Sequence, residues 1–212
     1  YYVDVDFKSK ANVPLDWGMK QFPNDLSLTL IKVEFLNSKQ KFTESFKYLD
    51  NINQFYPNSV EIVLNLGKLY SITEQFNTAI VFLDKAFSLI LADANYKELL
   101  SDVAYEFLQI GQNKKAITVM KKILEFDPSN ESTMMELGVA YHETGEFNEA
   151  ISYFNGVIND HPYSHLAWFN LGTIFNVNEN WNDALFAFDM CLVISEKFTA
   201  AHYGKANSYI QL

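Results

Sequence analysis

Arginine is absent from the sequence, and all sixteen basic residues are lysine. Twenty-six acidic residues outnumber them, which gives a formal net charge of −10 at pH 7. A protein surface that binds nucleic acid needs excess positive charge at the phosphates, and base readout most often uses the forked arginine side chain. The composition therefore argues against nucleic acid as a partner.

Cysteine, glycine and proline are also scarce, with one, eight and five copies among 212 residues. The single cysteine, Cys191, excludes an intramolecular disulfide framework, and the low Gly and Pro content excludes a fibrous chain. A hydrophobic fraction of 49% is too high for a disordered chain. These properties predict a folded protein with an apolar core.

Long apolar runs are missing as well. No window of about eighteen consecutive apolar residues occurs, so we expect no membrane-spanning helix. The sequence begins at Tyr1 rather than Met. We therefore expect further chain before Tyr1, which could contain a signal peptide. Without a recognisable targeting segment in the given sequence, the expected location is the cytoplasm.

Four of the five prolines mark an internal repeat. Pro23, Pro57, Pro128 and Pro162 are separated by 34, 71 and 34 residues, and the middle interval divides into one of 34 and one of 37. A period of about thirty-four residues lies in the range of solenoid repeats, in which each unit packs only on its neighbours.

Apolar residues recur inside this period at spacings of three and four, which indicates helices. The clearest copy places the small residues Gly138 and Ala150 on two helices that can approach closely, with Gly145 between them. Glycine permits the left-handed conformation that ends a helix. The next copy carries matching residues 34 positions after their counterparts: Trp168, Leu171, Gly172, Phe175, Ala184, Phe188 and Cys191.

This pattern resembles the tetratricopeptide repeat (TPR) family, most clearly over residues 137–141, 145–150 and 167–172. The resemblance implies an all-α fold, a right-handed superhelical solenoid of tandem helix-turn-helix repeats, about five complete with a partial repeat at each end. Residues 1–25 are then the end of a preceding degenerate repeat. The expected solenoid covers 26–212, with repeats at 26–59, 60–96, 97–130, 131–164 and 165–198 and a partial repeat at 199–212.

One repeat departs from the pattern, because Leu91 stands where the proline is expected and three extra residues follow. We predict a longer second helix that ends near Leu91, a loop at residues 92–94, and a new α-helix that starts with a capping box of Asn95 and Glu98.

The resemblance also implies that the first helices of successive repeats line a concave binding groove. At the corresponding offsets the predicted partner-binding residues are Asn65, Lys68, Glu98, Asp102, Tyr105, Glu136, Phe169, Asn170, Thr173, Tyr203 and Asn207. The family's clamp for a terminal carboxylate needs basic residues where this chain has Glu98 and Asp102, so that ligand is disfavoured.

The second half of the sequence is strongly acidic. No lysine lies between Lys122 and Lys197, whereas that interval contains twelve acidic residues. Two interpretations stay open: the acids form a solvated surface, or they line a groove that attracts a basic or neutral peptide.

Catalytic and metal-binding patterns are weak. His161 and His165 flank a proline turn rather than one helix face, which disfavours zinc. Glu143, Glu146 and Glu149 fit solvated turn positions, and Cys191 fits a buried packing position. We predict no cofactor, no metal site and no enzymatic activity.

The predicted function is a non-catalytic protein-interaction scaffold that binds a peptide or a partner helix in the concave groove. The alternative is a non-catalytic targeting or regulatory segment of a larger enzyme or of a secretion or assembly complex. Self-association is a further possibility, because the final helix ends in the uncovered residues 210–212.

Overall fold

The computed structural model describes residues 12–212, and residues 1–11 of the predicted N-terminal partial repeat lie outside the described residues. Over that range the chain forms twelve α-helices and one 3-10 helix, and it contains no β-strand. The all-α prediction is confirmed. No helix among residues 12–212 is long and apolar enough to cross a bilayer.

The chain divides into two compact units between Ile110 and Gly111, inside the predicted repeat 97–130. Unit 1 contains α1 (Asn12–Gln21), α2 (Leu26–Ser38), α3 (Phe42–Asn53), α4 (Val60–Ile72), α5 (Phe76–Ala92), a 3-10 helix (Ala94–Leu99) and α6 (Leu100–Gln109). Unit 2 contains α7 (Asn113–Phe126), α8 (Glu131–Glu143), α9 (Phe147–Asp160), α10 (His165–Val177), α11 (Trp181–Ile194) and α12 (Thr199–Gln211).

Helix hairpins form where the sequence places them, with α2 on α3 and α4 on α5 in unit 1, and α8 on α9 and α10 on α11 in unit 2. Each glycine of the pattern faces a large side chain of the second helix. A Cβ at Gly138 would lie 2.6 Å from Cε1 of Phe154, and a Cβ at Gly67 would lie 2.8 Å from Leu83. The absence of a side chain therefore sets the distance between the two helices.

The turn inside each hairpin uses the left-handed backbone region. Positive φ angles occur at Gln40, Glu74, Gly111, Gly145 and Glu179, which are 34, 37, 34 and 34 residues apart. The sequence predicted this conformation for Gly145. Three other repeats hold a residue with a Cβ in the same conformation, which carries steric strain.

The irregular repeat is only partly as predicted. Helix α5 ends at Ala92, close to the expected Leu91. The capping box at Asn95 and Glu98 is wrong, because Asp93 Oδ1 accepts the Asn95 N–H at 3.0 Å and the next six residues form a 3-10 helix. A 3-10 helix takes up the short insertion with fewer residues per turn, and the α-helix resumes at Leu100.

Each unit has its own apolar core. The core of unit 1 is built from Val33, Leu49, Ile52, Ile62, Leu66 and Leu69, and a buried cluster of unit 2 is built from Ala184, Phe188, Cys191 and Ala201. Cys191 is fully buried, as predicted, and burial raises the pKa of its thiol.

Candidate functional site

First helices of neighbouring repeats contact one another inside each unit. In unit 1, α4 contacts α6; in unit 2, α8 contacts α10 and α10 contacts α12. Ten of the eleven predicted binding residues lie on these first helices, and Glu98 lies on the 3-10 helix before α6. Unit 1 holds Asn65, Lys68, Glu98, Asp102 and Tyr105, and unit 2 holds Glu136, Phe169, Asn170, Thr173, Tyr203 and Asn207.

The polar residues predicted on α4 and α6 largely satisfy one another. Lys68 Nζ lies 2.8 Å from Asp102 Oδ2, so the two charges compensate. The Asn65 amide donates a hydrogen bond of 2.8 Å to the Glu61 carbonyl. Tyr105 is 57% exposed, which leaves its ring accessible. The structure therefore brings Lys68 and Asp102 together as an ion pair, not as two free contacts for a partner.

Beside this ion pair lies a buried acid that the sequence analysis missed. Glu106 is only 8% exposed. Burial raises the pKa of its carboxyl, and a hydrogen bond with Ser71 and the charge of Lys68 oppose the rise. The sequence could have indicated this burial, because the equivalent positions of other repeats hold the apolar residues Leu69, Ala140 and Ile174.

A cavity of about 480 Å³ opens between α10 and α12 in unit 2, and we call it the α10–α12 pocket. Its lining is uncharged and comes from Phe169, Thr173, Asn176, Val177, Phe188, Thr199, Ala200, Tyr203, Gly204 and Asn207. Four of these residues, Phe169, Thr173, Tyr203 and Asn207, were predicted from the sequence. The pocket is thus the place where predicted binding residues converge around an open volume.

The floor of the pocket is the ring of Phe188, which is 1% exposed and held between two glycines. A Cβ would lie 2.6 Å from this ring at Gly172 and 2.5 Å from it at Gly204. Phe169 packs beside it, with ring centroids 6.0 Å apart, and contacts Phe198 edge-on at 5.1 Å. The aromatic floor is therefore fixed in position before any ligand arrives.

Hydrogen bonds tie the two helices of the pocket together. The Asn176 amide donates to the Gly204 carbonyl at 3.1 Å, and the Ser208 hydroxyl donates to Asn176 Oδ1 at 2.6 Å. The Thr173 hydroxyl donates to the Phe169 carbonyl at 3.0 Å within α10. These groups fix the walls rather than offering free donors.

Three other polar side chains are available, of which Tyr203 and Asn207 line the pocket and Asn170 does not. The side chains of Asn170, Tyr203 and Asn207 make no hydrogen bond to another residue in the described part of the chain. Tyr203 is 77% exposed, and Asn170 lies on the same face of α10 as Thr173, one turn earlier. Each asparagine side chain can donate and accept at once, as a peptide bond does.

The acidic residues of unit 2 lie away from the pocket. Helix α10 contains no Asp, Glu, Lys or Arg, and the only charged residue of α12 is Lys205, which pairs with Asp189 at 2.5 Å. Glu136 is exposed on α8, where its carboxylate accepts a hydrogen bond from Ser132 at 3.3 Å. Most of the twelve acids occupy turns and second helices, so the pocket itself is neutral.

The histidines serve separate local contacts. His161 Nε2 lies 3.6 Å from a Glu131 oxygen, and the His165 ring contacts Phe198 edge-on at 5.3 Å. Among residues 12–212 no group of three or more potential metal ligands comes together.

The helix hairpins, the glycine contacts and the turn spacing together define a helical repeat protein. The tetratricopeptide repeat models match residues 60–93, 98–130 and 132–164. These three segments of the chain are therefore tetratricopeptide repeats. No curated protein matches its sequence.

Solved structures share the fold. YrrB, described as a TPR protein with an unusual peptide-binding site, is 18% identical with a TM-score of 0.70, over 91% of this chain and 97% of that one. A MamA protein is 21% identical with a TM-score of 0.65, over 82% and 93% of the two chains. MamA from Desulfovibrio magneticus RS-1 is 17% identical with a TM-score of 0.65, over 81% and 96%.

Proposed function

We propose that this protein is a non-catalytic interaction module and that its α10–α12 pocket binds a peptide or a helix of a partner protein. The observation that carries the proposal is the pocket itself, an open cavity of about 480 Å³ formed by first helices of neighbouring repeats. Small-ligand and side-chain sites commonly have about 300–1,000 Å³ and combine apolar walls with a few polar groups.

The polar groups in and beside the pocket support a peptide as the ligand. The free amides of Asn170 and Asn207 can each pair with a backbone N–H and C=O, and the exposed Tyr203 ring adds contact area at a small entropic cost. Repeat proteins use surfaces of this kind for binding extended partners. The peptide-binding site named for YrrB, whose fold this chain shares, supports the same reading.

Two observations favour binding over chemistry. Cys191 is buried and its thiol pKa is raised, so it is a poor nucleophile. The strongest acid-base candidate, Glu106, is only 8% exposed among the packed helices of unit 1, where a substrate has little access to its carboxyl. The unit 1 residues Glu98 and Tyr105 stay predicted contacts for a partner.

A pocket-filling substitution tests the proposal. Ala200 lines the pocket on α12 and is exposed, so Ala200→Phe places a ring in the cavity without disturbing the core. Ala206 is exposed on the same helix outside the pocket, which makes Ala206→Phe the matched control. A random peptide library is selected on the intact chain, and binders are titrated against both variants.

We expect binders whose affinity falls about tenfold or more with Ala200→Phe and stays unchanged with Ala206→Phe. Circular dichroism of both variants shows whether they are folded. Binders that respond equally to the two variants, or a library that yields none, would reject the pocket as the binding site.

A further inference from the structure

We propose that the α10–α12 pocket selects an uncharged peptide segment that inserts one aromatic side chain against Phe188. This inference rests on the proposed function and specifies its ligand. It differs from the simplest expectation for a chain of net charge −10, which is a basic partner.

Charge excludes Lys, Arg, Asp and Glu as the inserted residue. None of the ten lining residues is charged, and Lys205, the nearest charge on α12 in sequence, is already paired with Asp189. A charged side chain that leaves water for this pocket would find no opposite charge, and such a transfer is strongly unfavourable. The acids of unit 2 act outside the pocket, where salt screens them.

The shape and composition of the walls favour an aromatic ring. Phe169 and Phe188 meet at 48° with centroids 6.0 Å apart, and both rings line the pocket, where an inserted ring can pack beside them. Tyr203 on the opposite helix supplies another ring at the opening. Aromatic pairs in offset or edge-to-face geometry gain stability beyond the area that they bury.

Rigidity adds to this selectivity. Phe188 cannot move toward α10 or α12, because Gly172 and Gly204 already lie against its ring. The hydrogen bonds of Asn176 also hold α10 and α12 together. A preformed floor binds a rigid ring with little loss of entropy, whereas a flexible charged chain would lose both entropy and solvation.

The test uses short synthetic peptides of Ser, Gly and Gln with one variable central residue, which is Trp, Phe, Leu, Ala, Lys or Glu. Binding to the intact chain is followed by NMR through the ring signals of Phe169 and Tyr203. We expect the Trp and Phe peptides to bind about tenfold or more tightly than the Ala, Lys and Glu peptides. Their affinity should stay constant from about 50 to 500 mM salt.

Two variants make the result specific to the pocket. Ala200→Phe should abolish the preference for Trp and Phe, and Ala206→Phe should keep it. Tyr203→Ser removes an exposed ring, so it leaves folding unchanged and should weaken aromatic binding several-fold. A Lys or Glu peptide that binds as tightly as the Trp peptide would overturn the inference, and so would equal affinity for all six. The proposed function would still hold after that result if library binders lose affinity with Ala200→Phe and keep it with Ala206→Phe. If they respond equally to both variants, the proposed function is rejected as well.

Discussion

Replacing Gly138 by alanine tests how the hairpins pack. The new Cβ would lie 2.6 Å from Cε1 and Cζ and 3.0 Å from Cδ1 of Phe154, whose side chain is 1% exposed. Neither the ring nor the α8 backbone can move without disturbing its neighbours, and overpacking of this kind costs about 2–3 kcal/mol. Alanine regains about 1 kcal/mol of helix propensity. The net loss of local stability is therefore about 1–2 kcal/mol.

Gly156→Ala is the matched control in the next helix. Its Cβ would also meet an atom at 2.6 Å, but that atom is the terminal methyl of Met134, which can move aside. The propensity gain should then dominate and raise stability by up to about 1 kcal/mol. The same substitution in two adjacent helices thus has opposite predicted signs.

Native-state hydrogen exchange of the α8 and α9 amides measures both effects locally, without assuming that the two units unfold together. The double variant Gly138→Ala/Phe154→Met should recover most of the loss, because the preceding repeat carries Ala104 and Met120 at these two offsets. A Gly138→Ala protein that exchanges more slowly than the wild type would refute the packing explanation.

Three further predictions concern the turn, the buried acid and the exposed ring. Glu74→Gly should raise the free energy of unfolding by about 0.5–1 kcal/mol, because Glu74 has a φ of 59°. Gly145→Ala, at a φ of 80°, should lower it by a similar amount. Melting temperatures that shift in the opposite directions would contradict backbone strain at these turns. Burial raises the pKa of Glu106, so the folded protein binds a proton at pH values between the unfolded and folded pKa, and stability falls as pH rises through that window. Glu106→Gln should remove this pH dependence and raise stability at neutral pH. Urea titrations at several pH values that give the same curve for the variant and the wild type would disprove it. Tyr203→Ser should leave the melting temperature unchanged, since the side chain is 77% exposed, and a large drop would show a structural role instead.

The repeat phase could be predicted because packing fixes it. Proline and glycine spacing placed the hairpins, and the five positive φ angles follow the same intervals. The strained turns at Gln40, Glu74 and Glu179 could not be foreseen from residue type, because neighbouring helices impose that conformation on residues that do not prefer it. The 3-10 helix after α5 likewise depends on a cap at Asp93 that competed with Asn95.

The candidate site was predictable in part. Phe169, Thr173, Tyr203 and Asn207 line the pocket because they share one face of successive first helices. Phe188 follows a core offset, so its role as the floor emerges only once Gly204 is seen against its ring. The pairing of Lys68 with Asp102 was not predicted, because the three extra residues make Tyr105 the equivalent of Lys68 and place Asp102 about one turn earlier on the neighbouring first helix.

Net charge describes the whole chain and not the pocket. It sums over turns and second helices, whereas α10 carries no Asp, Glu, Lys or Arg. The distribution of charge along the helices is the informative quantity, and it points to a neutral pocket inside an acidic unit.

The most direct test of peptide binding in the α10–α12 pocket is a crystal structure of this chain with a peptide selected from the library. We predict density for an uncharged segment between α10 and α12, with an aromatic ring resting on Phe188 and the peptide backbone within hydrogen-bond distance of Asn207. Density on the second helices instead, with the α10–α12 pocket empty, would contradict the central claim.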